Sequence, residues 1–205
     1  MPAYADYYKI LINIPSHTLE LFENNAAIKT YTIGVGKPYF PTPVGKFKVI
    51  SKIKNPVWEN PYKPAGAVRI KSGKNNPLST RWIGFYRDSN GEYGIHGTNI
   101  ESSIGKYSSH GCIRMKQKEA EELFSKINEG CEVKITYNPY KISIDKNNIR
   151  VFKYNNVYKL KIDPAQMIKS QLKSLNKKHV INQAALKQAI KMKPGSYLTI
   201  GKIIN

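Results

Sequence analysis

The stretch from residue 94 to 115 contains the side chains best suited to nucleophilic chemistry. It reads GIHGTNIESSIGKYSSHGCIRM and places His96, His110, Cys112 and Arg114 in a segment rich in glycine and serine. A thiol attacks a carbonyl as the thiolate, and a nearby imidazole or cation lowers its pKa. A nucleophile also needs a base within hydrogen-bond distance. The pattern predicts Cys112 as a nucleophile with one of the two histidines as its base.

Two other interpretations of these residues stay open. His96, His110 and Cys112 are ligand types that zinc favours, and a structural zinc site needs a fourth ligand. The spare soft ligands are His17, His179 and Cys131. A cysteine is also often only a small buried hydrophobic residue. Gly111 argues for chemistry, because a glycine permits a tight turn and close substrate approach. The N–H groups of Gly111 and Cys112 are then candidate donors to a developing oxyanion.

The same stretch resembles the signature of the YkuD-type L,D-transpeptidase family. That signature is a His, a gap, then Ser/Thr-His-Gly-Cys, a hydrophobic residue, and Arg or Asn. Here the matching parts are His96 and residues 109 to 114, which read SHGCIR. Upstream, PTPVGKF at 41 to 47 resembles the family's Thr-Pro-x-Gly-x-Phe element. The resemblance covers roughly residues 7 to 137.

The resemblance implies a role for each matching residue. Cys112 is the nucleophile that accepts the acyl group, and His96 is the base and later the acid. Gly97 orients His96 through its backbone carbonyl. The supporting positions, which shape the substrate pocket and the oxyanion site, are Ser109, His110, Gly111 and Arg114. No metal or other cofactor is implied.

The implied substrate is the tetrapeptide stem of peptidoglycan. Cys112 attacks the carbonyl of the third stem residue, D-alanine leaves, and an amine of a neighbouring stem resolves the thioester into a cross-link. Water as acceptor makes the enzyme an L,D-carboxypeptidase instead. A non-catalytic, basic wall-binding module is the remaining alternative. The expected location is extracytoplasmic, in a cell wall, a periplasm or a spore envelope, although no signal peptide is visible in the sequence.

The charge balance predicts an anionic partner. The 205 residues hold 33 Lys and Arg against 14 Asp and Glu, a net charge of +19. Such a surface attracts polyanions, although it also serves simply to keep a protein in solution. Because the charge is mostly lysine, is spread along the chain and accompanies no nucleic-acid motif, we expect anionic wall polymers rather than nucleic acid. The apolar runs are too short for a membrane span.

The hydropathy pattern predicts a mainly β protein in two parts. Residues 1 to 138 alternate repeatedly and contain one helical pattern, at Ala120, Leu123, Phe124 and Ile127. The resemblance implies that this part is a β-sandwich catalytic domain. Residues 54 to 80 lack a steady period; we expect them to cover the site, and a surface loop without a role is the alternative. Residues 139 to 205 predict a small α+β region, a three-strand meander ending at 157 to 162 and two helices, with no assigned role.

Overall fold

A computed structural model describes residues 7 to 60, 63 to 64, 66 to 89 and 91 to 204. The chain divides into two compact units, Met1–Thr136 and Tyr137–Asn205. The sequence predicted a boundary between residues 138 and 139. Each unit is described by itself below.

The first unit is built almost entirely from strands. In chain order its elements are β1 (Tyr8–Asn13), β2 (Thr18–Glu23), β3 (Ala26–Thr32), β4 (Val35–Gly36), β5 (Gly45–Lys48), β6 (Ser51–Lys54), β7 (Trp58–Glu59), β8 (Arg69–Ile70), β9 (Arg81–Asp88), β10 (Gly91–Thr98), a 3₁₀ turn (Glu101–Ser103), β11 (Tyr107–Ser109), β12 (Ile113–Lys116), α1 (Gln117–Lys126) and β13 (Glu132–Thr136).

Two sheets form the framework of this unit. One has the order β3-β2-β1-β13-β5 and the other β12-β10-β9-β6. In β1 alternate residues such as Ile10 and Ile12 are buried, whereas β9 buries four consecutive residues, 82 to 85, so both faces of the second sheet are covered there. Phe47 of β5 packs against Phe85 with ring centroids 5.4 Å apart, which joins the two sheets across the core. The mainly β, sandwich-like fold expected for the catalytic part is confirmed.

Helix α1 lies where the periodicity predicts it. Helix α1 buries Ala120 and Leu123, and Ile127, the residue after its last turn, is also fully buried. Its apolar face packs on β9, β10 and β12. The helix therefore supports the sheet that carries both predicted catalytic segments.

The second unit is a four-stranded antiparallel sheet with two helices. Its elements are β14 (Tyr140–Asp145), β15 (Asn148–Lys153), α2 (Pro164–Ser174), β16 (His179–Ile181), α3 (Gln183–Lys191) and β17 (Tyr197–Ile203), and the strand order is β14-β15-β17-β16. Ile149, Val151 and Ile200 of the sheet pack with Ile168 of α2 and Ala189 of α3 to form its core.

The predicted third strand of a meander at residues 157 to 162 is wrong. The chain turns there: Lys159 has φ of 52°, and its N–H donates to the Asn156 carbonyl at 3.1 Å. The place beside β15 is taken by β17 from the far end of the unit. Alternation in a sequence indicates which side chains can share a face, but it does not identify the partner strand.

Both predicted helices of this unit are present, and each has a side-chain cap. Asp163 accepts a hydrogen bond from Gln166 N at 3.0 Å, with Pro164 at the first helical position. Asn182, the predicted cap of the second helix, accepts from Ala185 N at 3.0 Å. Over the described parts of the chain, none of the helices combines the length and the apolar character needed to cross a bilayer.

Candidate active site

The predicted base, His96, lies in the middle of the second sheet. On β10 it stands opposite Arg114 of the parallel strand β12 and opposite Trp82 of the antiparallel strand β9. Only 4% of His96 is exposed. The same register places Ile95 opposite Ile113, so Cys112, which directly precedes β12, is level with Gly94. The sheet thus brings the two predicted catalytic residues onto neighbouring strands.

A backbone bond fixes the tautomer of His96. Its Nδ1 lies 2.6 Å from the carbonyl oxygen of Gly97. A carbonyl only accepts, so Nδ1 must carry the hydrogen, and the neutral ring keeps an unprotonated Nε2. Burial, together with the charge of Arg114, lowers the pKa of His96 to about 4 despite the Gly97 bond, which favours the charged form. At neutral pH this residue is therefore a neutral imidazole with Nε2 as its basic atom.

A network of hydrogen bonds shapes the turn that presents Cys112. The Ser109 hydroxyl donates to the Cys112 carbonyl at 2.5 Å and accepts from Gly111 N at 3.1 Å. Thr42, fully buried, donates to the Gly111 carbonyl at 2.9 Å and accepts from Gly36 N at 2.9 Å. Gly111 N–H, one of the two expected oxyanion donors, is therefore used within the turn. Thr42 belongs to the upstream PTPVGKF element. Its bond to Gly111 therefore gives that element a structural role in holding the turn that presents Cys112.

Gly111 is required by the shape of this turn. Its φ is 108°, a conformation that side-chain-bearing residues rarely adopt. A Cβ at this position would also lie 2.6 Å from Cε1 of Tyr93. Both the backbone conformation and the lack of space for a side chain therefore require a glycine immediately before the predicted nucleophile.

Cys112 is a half-buried residue and is not disulfide-bonded. Burial raises its pKa and the carboxylate of Glu92 acts in the same direction, whereas the Gly94 N–H and the charge of Arg114 favour the thiolate. The net shift of the Cys112 pKa is upward. The resting site is therefore a neutral thiol beside a neutral imidazole rather than a preformed ion pair.

The two remaining predicted residues lie on either side of the cysteine. Arg114 is half-buried, and its backbone N–H and C=O exchange hydrogen bonds with Gly34 at 2.9 and 2.8 Å. His110 is exposed and packs on Phe40 with ring centroids 4.6 Å apart. Burial and the charges of Lys37 and Arg114 lower the pKa of His110.

Two residues near His96 were not found from the sequence. The Trp82 indole lies nearly parallel to the imidazole, with centroids 5.8 Å apart and an interplanar angle of 20°. Its Nε1 donates to Oε1 of Glu92 at 2.9 Å. The only sequence signal was the antiparallel alternation of the two segments around the turn near Gly91, which would have placed residue 82 opposite residue 96.

The segment from 54 to 80, expected to cover the site, contains the paired strands β7 and β8. At its end, Asn99 donates to the Lys74 carbonyl at 3.3 Å, and Ser79 lies against Gly97. A cavity of about 530 Å³ is lined by Asn55, Val57, Lys71, Ser72, Gly73 and Thr80. None of the predicted catalytic residues lines it, so the covering role stays a prediction.

His96, His110 and Cys112 do not form a metal-binding cluster. Across the residues described, no three His, Cys, Asp or Glu side chains are close enough together to hold one ion. The arrangement of β10 and β12 instead juxtaposes a nucleophile type, a base type and a cation.

Comparisons with known proteins identify the family of the chain. The family model of the L,D-transpeptidase catalytic domain, YkuD, matches residues 7 to 135. The putative L,D-transpeptidase YqjB of Bacillus subtilis is 39% identical over 140 residues, 66% of this chain and 74% of that protein. The putative L,D-transpeptidase YkuD of Bacillus subtilis is 38% identical over 132 residues, 64% of this chain and 68% of that protein.

Solved structures show the same fold. L,D-transpeptidase 3 of Mycobacterium tuberculosis superposes with a TM-score of 0.53 at 18% identity, over 64% of this chain and 61% of that one. The chain thus spans about three fifths of the solved structure. Since the family model covers well over half of the sequence, the chain belongs to the L,D-transpeptidase family.

Proposed function

We propose that this protein is a peptidoglycan L,D-transpeptidase with Cys112 as nucleophile and His96 as base. The observation that carries the proposal is the imidazole of His96, held by Gly97 O with Nε2 unprotonated, on the strand beside the one that Cys112 begins. The family to which the chain belongs supports peptidoglycan stem peptides as substrate. The donor is a tetrapeptide stem.

In the first half-reaction, Cys112 Sγ attacks the carbonyl carbon of the third stem residue while its proton moves to His96 Nε2. The carbonyl oxygen gains negative charge, and we propose the Cys112 N–H and the Arg114 guanidinium as the groups that stabilise it. The peptide C–N bond then breaks. The imidazolium returns the proton to the departing amino group, so D-alanine leaves as a neutral amine and a thioester remains.

In the second half-reaction, an amine of a neighbouring stem attacks the thioester carbonyl. Its proton passes to His96 Nε2, the C–S bond breaks, and the proton returns to Cys112 Sγ. A base whose pKa is about 4 is neutral throughout the neutral range, so it is ready to accept a proton in both halves. Water at the acceptor position would make the enzyme an L,D-carboxypeptidase.

Product analysis distinguishes these outcomes. With a tetrapeptide stem and a stem that presents a free side-chain amine, we expect release of D-alanine together with a cross-linked dimer. Chromatography with mass detection measures both products. Tripeptide without dimer would assign carboxypeptidase activity, and release of no D-alanine from folded, reduced protein would favour a wall-binding module.

We further propose that the second unit binds anionic wall polymers and that the protein works outside the cytoplasm. Residues 137 to 205 hold 14 of the 33 Lys and Arg but only two of the 14 Asp and Glu, so this unit carries +12 of the net +19. That density supports a phosphate- or carboxylate-bearing partner. The helices α2 and α3 carry Lys169, Lys173, Lys187 and Lys191, all exposed.

The sheet of the second unit, β14-β15-β17-β16, supports the same proposal through the face that is turned away from α2 and α3. Its strands pack their helix-facing side against α2 and α3, while Arg150 and Tyr197 lie outside that core. Tyr197 is 64% exposed, and the Arg150 guanidinium lies 5.4 Å from the centre of its ring. A flat aromatic ring beside a guanidinium suits a polymer of sugar rings that carry anionic groups.

Changing these four helix lysines to glutamine is expected to weaken co-sedimentation with isolated cell walls about fivefold at low salt, because attraction between exposed charges is additive and screened. The matched control changes Lys46, Lys48, Lys116 and Lys118, exposed lysines of the first unit, and removes the same total charge. Equal loss in both variants would show that only net charge matters and would contradict a binding role for the second unit.

A further inference from the structure

One face of β10 carries a line of three residues, Glu92, Gly94 and His96, at alternate positions. Side chains two apart in a strand share a face. The indole of Trp82, from the neighbouring strand β9, lies along this line. At one end its Nε1 donates to Glu92 Oε1 at 2.9 Å, and at the other its ring is stacked with that of His96. A single side chain therefore connects the carboxylate to the predicted base.

The middle of this line is a glycine for a steric reason. A Cβ at Gly94 would lie 2.6 Å from Cζ2 of Trp82, and the other nearest atoms also belong to the indole. Any larger residue would displace the ring from its position along the strand. The absence of a side chain at Gly94 thus allows Trp82 to lie flat between Glu92 and His96.

Glu92 is itself held in place by further hydrogen bonds. Oε1 also accepts from the Ser51 hydroxyl at 2.5 Å, and Oε2 accepts from Arg87. The Glu92 side chain is 17% exposed. Burial alone would raise the pKa of Glu92, but the bonds from Ser51, Trp82 and Arg87 outweigh it and lower the pKa. The group is therefore an ionised, well-ordered acceptor at neutral pH.

The negative charge of Glu92 has an unfavourable effect on the nucleophile that a neutral hydrogen-bond acceptor would avoid. The Glu92 carboxylate disfavours the thiolate of Cys112. A neutral acceptor could bond the indole without that effect. A charged acceptor forms the stronger hydrogen bond, and a stronger bond restricts the indole more tightly.

We infer that Glu92 and Trp82 are positioning residues for the base. Glu92 fixes the indole through its N–H, and the indole fixes the plane of the imidazole, whose other restraint is the Nδ1 bond to Gly97. Neither residue takes or gives a proton. The inference rests on the proposed function, because it assigns these two residues a role in placing His96 Nε2 for proton transfer.

The test is a double-mutant cycle on kcat for D-alanine release. Trp82→Phe keeps a ring beside His96 but removes the N–H donor, and Glu92→Ala removes the acceptor. Because both break the same bond, each is expected to lower kcat about tenfold with KM little changed, and the double variant about tenfold rather than a hundredfold. Glu92→Gln retains an acceptor oxygen but forms the weaker, uncharged hydrogen bond, so it is expected to recover part of the loss.

Glu129→Ala is the matched control. Glu129 is an exposed carboxylate in the turn between α1 and β13, and its removal is expected to leave kcat within about twofold. Thermal unfolding of each variant sets an assay temperature at which all are folded. Losses that multiply in the double variant, no recovery in Glu92→Gln, or a lowered Tm with unchanged kcat would each overturn the inference.

Cys112→Ala is assayed alongside to separate the two proposals. Full turnover in Cys112→Ala would refute the proposed function. Loss of turnover there, with unchanged kcat in both Trp82→Phe and Glu92→Ala, would refute only the positioning role.

Discussion

Cys112→Ser is expected to lower kcat/KM for D-alanine release at least about a thousandfold, because a hydroxyl is a far weaker nucleophile than a thiol at the same position. The substitution is nearly isosteric, and the site keeps its base and cation. The loss therefore reports on chemistry rather than on folding. D-alanine release under initial-rate conditions is the measurement, with circular dichroism to confirm the fold.

Cys131→Ser provides the matched control within the same chain. The Cys131 thiol lies 3.3 Å from the Tyr8 carbonyl, and burial raises its pKa to about 11. Cys131 precedes β13 of the five-stranded sheet, whereas His96 lies in the other sheet, so this variant is expected to retain turnover within about twofold. Loss of activity in Cys131→Ser with full activity in Cys112→Ser would reverse the assignment of the nucleophile.

His96→Gln is expected to lower kcat/KM between about a hundredfold and ten-thousandfold, since it removes the base while leaving a polar side chain of similar size. The remaining activity should rise steeply with pH, because the Cys112 thiolate must then form without a neighbouring base. His179→Gln, at a half-buried position in the second unit, is the matched control and should behave as the unaltered protein does.

The unaltered protein should keep a level kcat/KM from pH 7 down to about 5 and lose it as the pH falls through about 4. The sign follows from His96, whose pKa of about 4 keeps Nε2 unprotonated above that value. An ordinary histidine would titrate near 6.5. An acid limb centred near 6.5 that disappears in His96→Gln would contradict a neutral, buried base.

The sequence indicated the candidate catalytic residues better than the residues that hold them. Cys112 and His96 stand out by residue type and by the motif around them; His96 lies in β10, and Cys112 directly precedes the neighbouring strand β12. Ser109 and Gly111 were predicted as supporting residues, but the hydrogen bond to the Gly111 carbonyl comes from Thr42, which is far away in the sequence. Trp82 and Glu92 carry no chemical signature, since a tryptophan and a glutamate in a strand usually mark only a half-buried surface.

For the fold, too, local features could be predicted from the sequence, whereas the pairing of distant strands could not. Helix α1 and the caps Asp163 and Asn182 follow from spacing and from side chains that bond their own backbone. The pairing of β15 with β17 could not be predicted, because it joins segments separated by two helices. The turn at Lys159 was missed for the complementary reason: a positive φ at a lysine has no sequence signal.

Intact-mass spectrometry of the protein mixed with a tetrapeptide stem, without an acceptor, tests most directly whether Cys112 carries the acyl group. We expect a transient adduct equal in mass to the stem minus D-alanine, mapped by digestion to the peptide that contains Cys112 and absent from Cys112→Ala. An adduct of that mass on Cys112→Ala, or release of D-alanine by that variant at the unaltered rate, would contradict covalent catalysis by this cysteine.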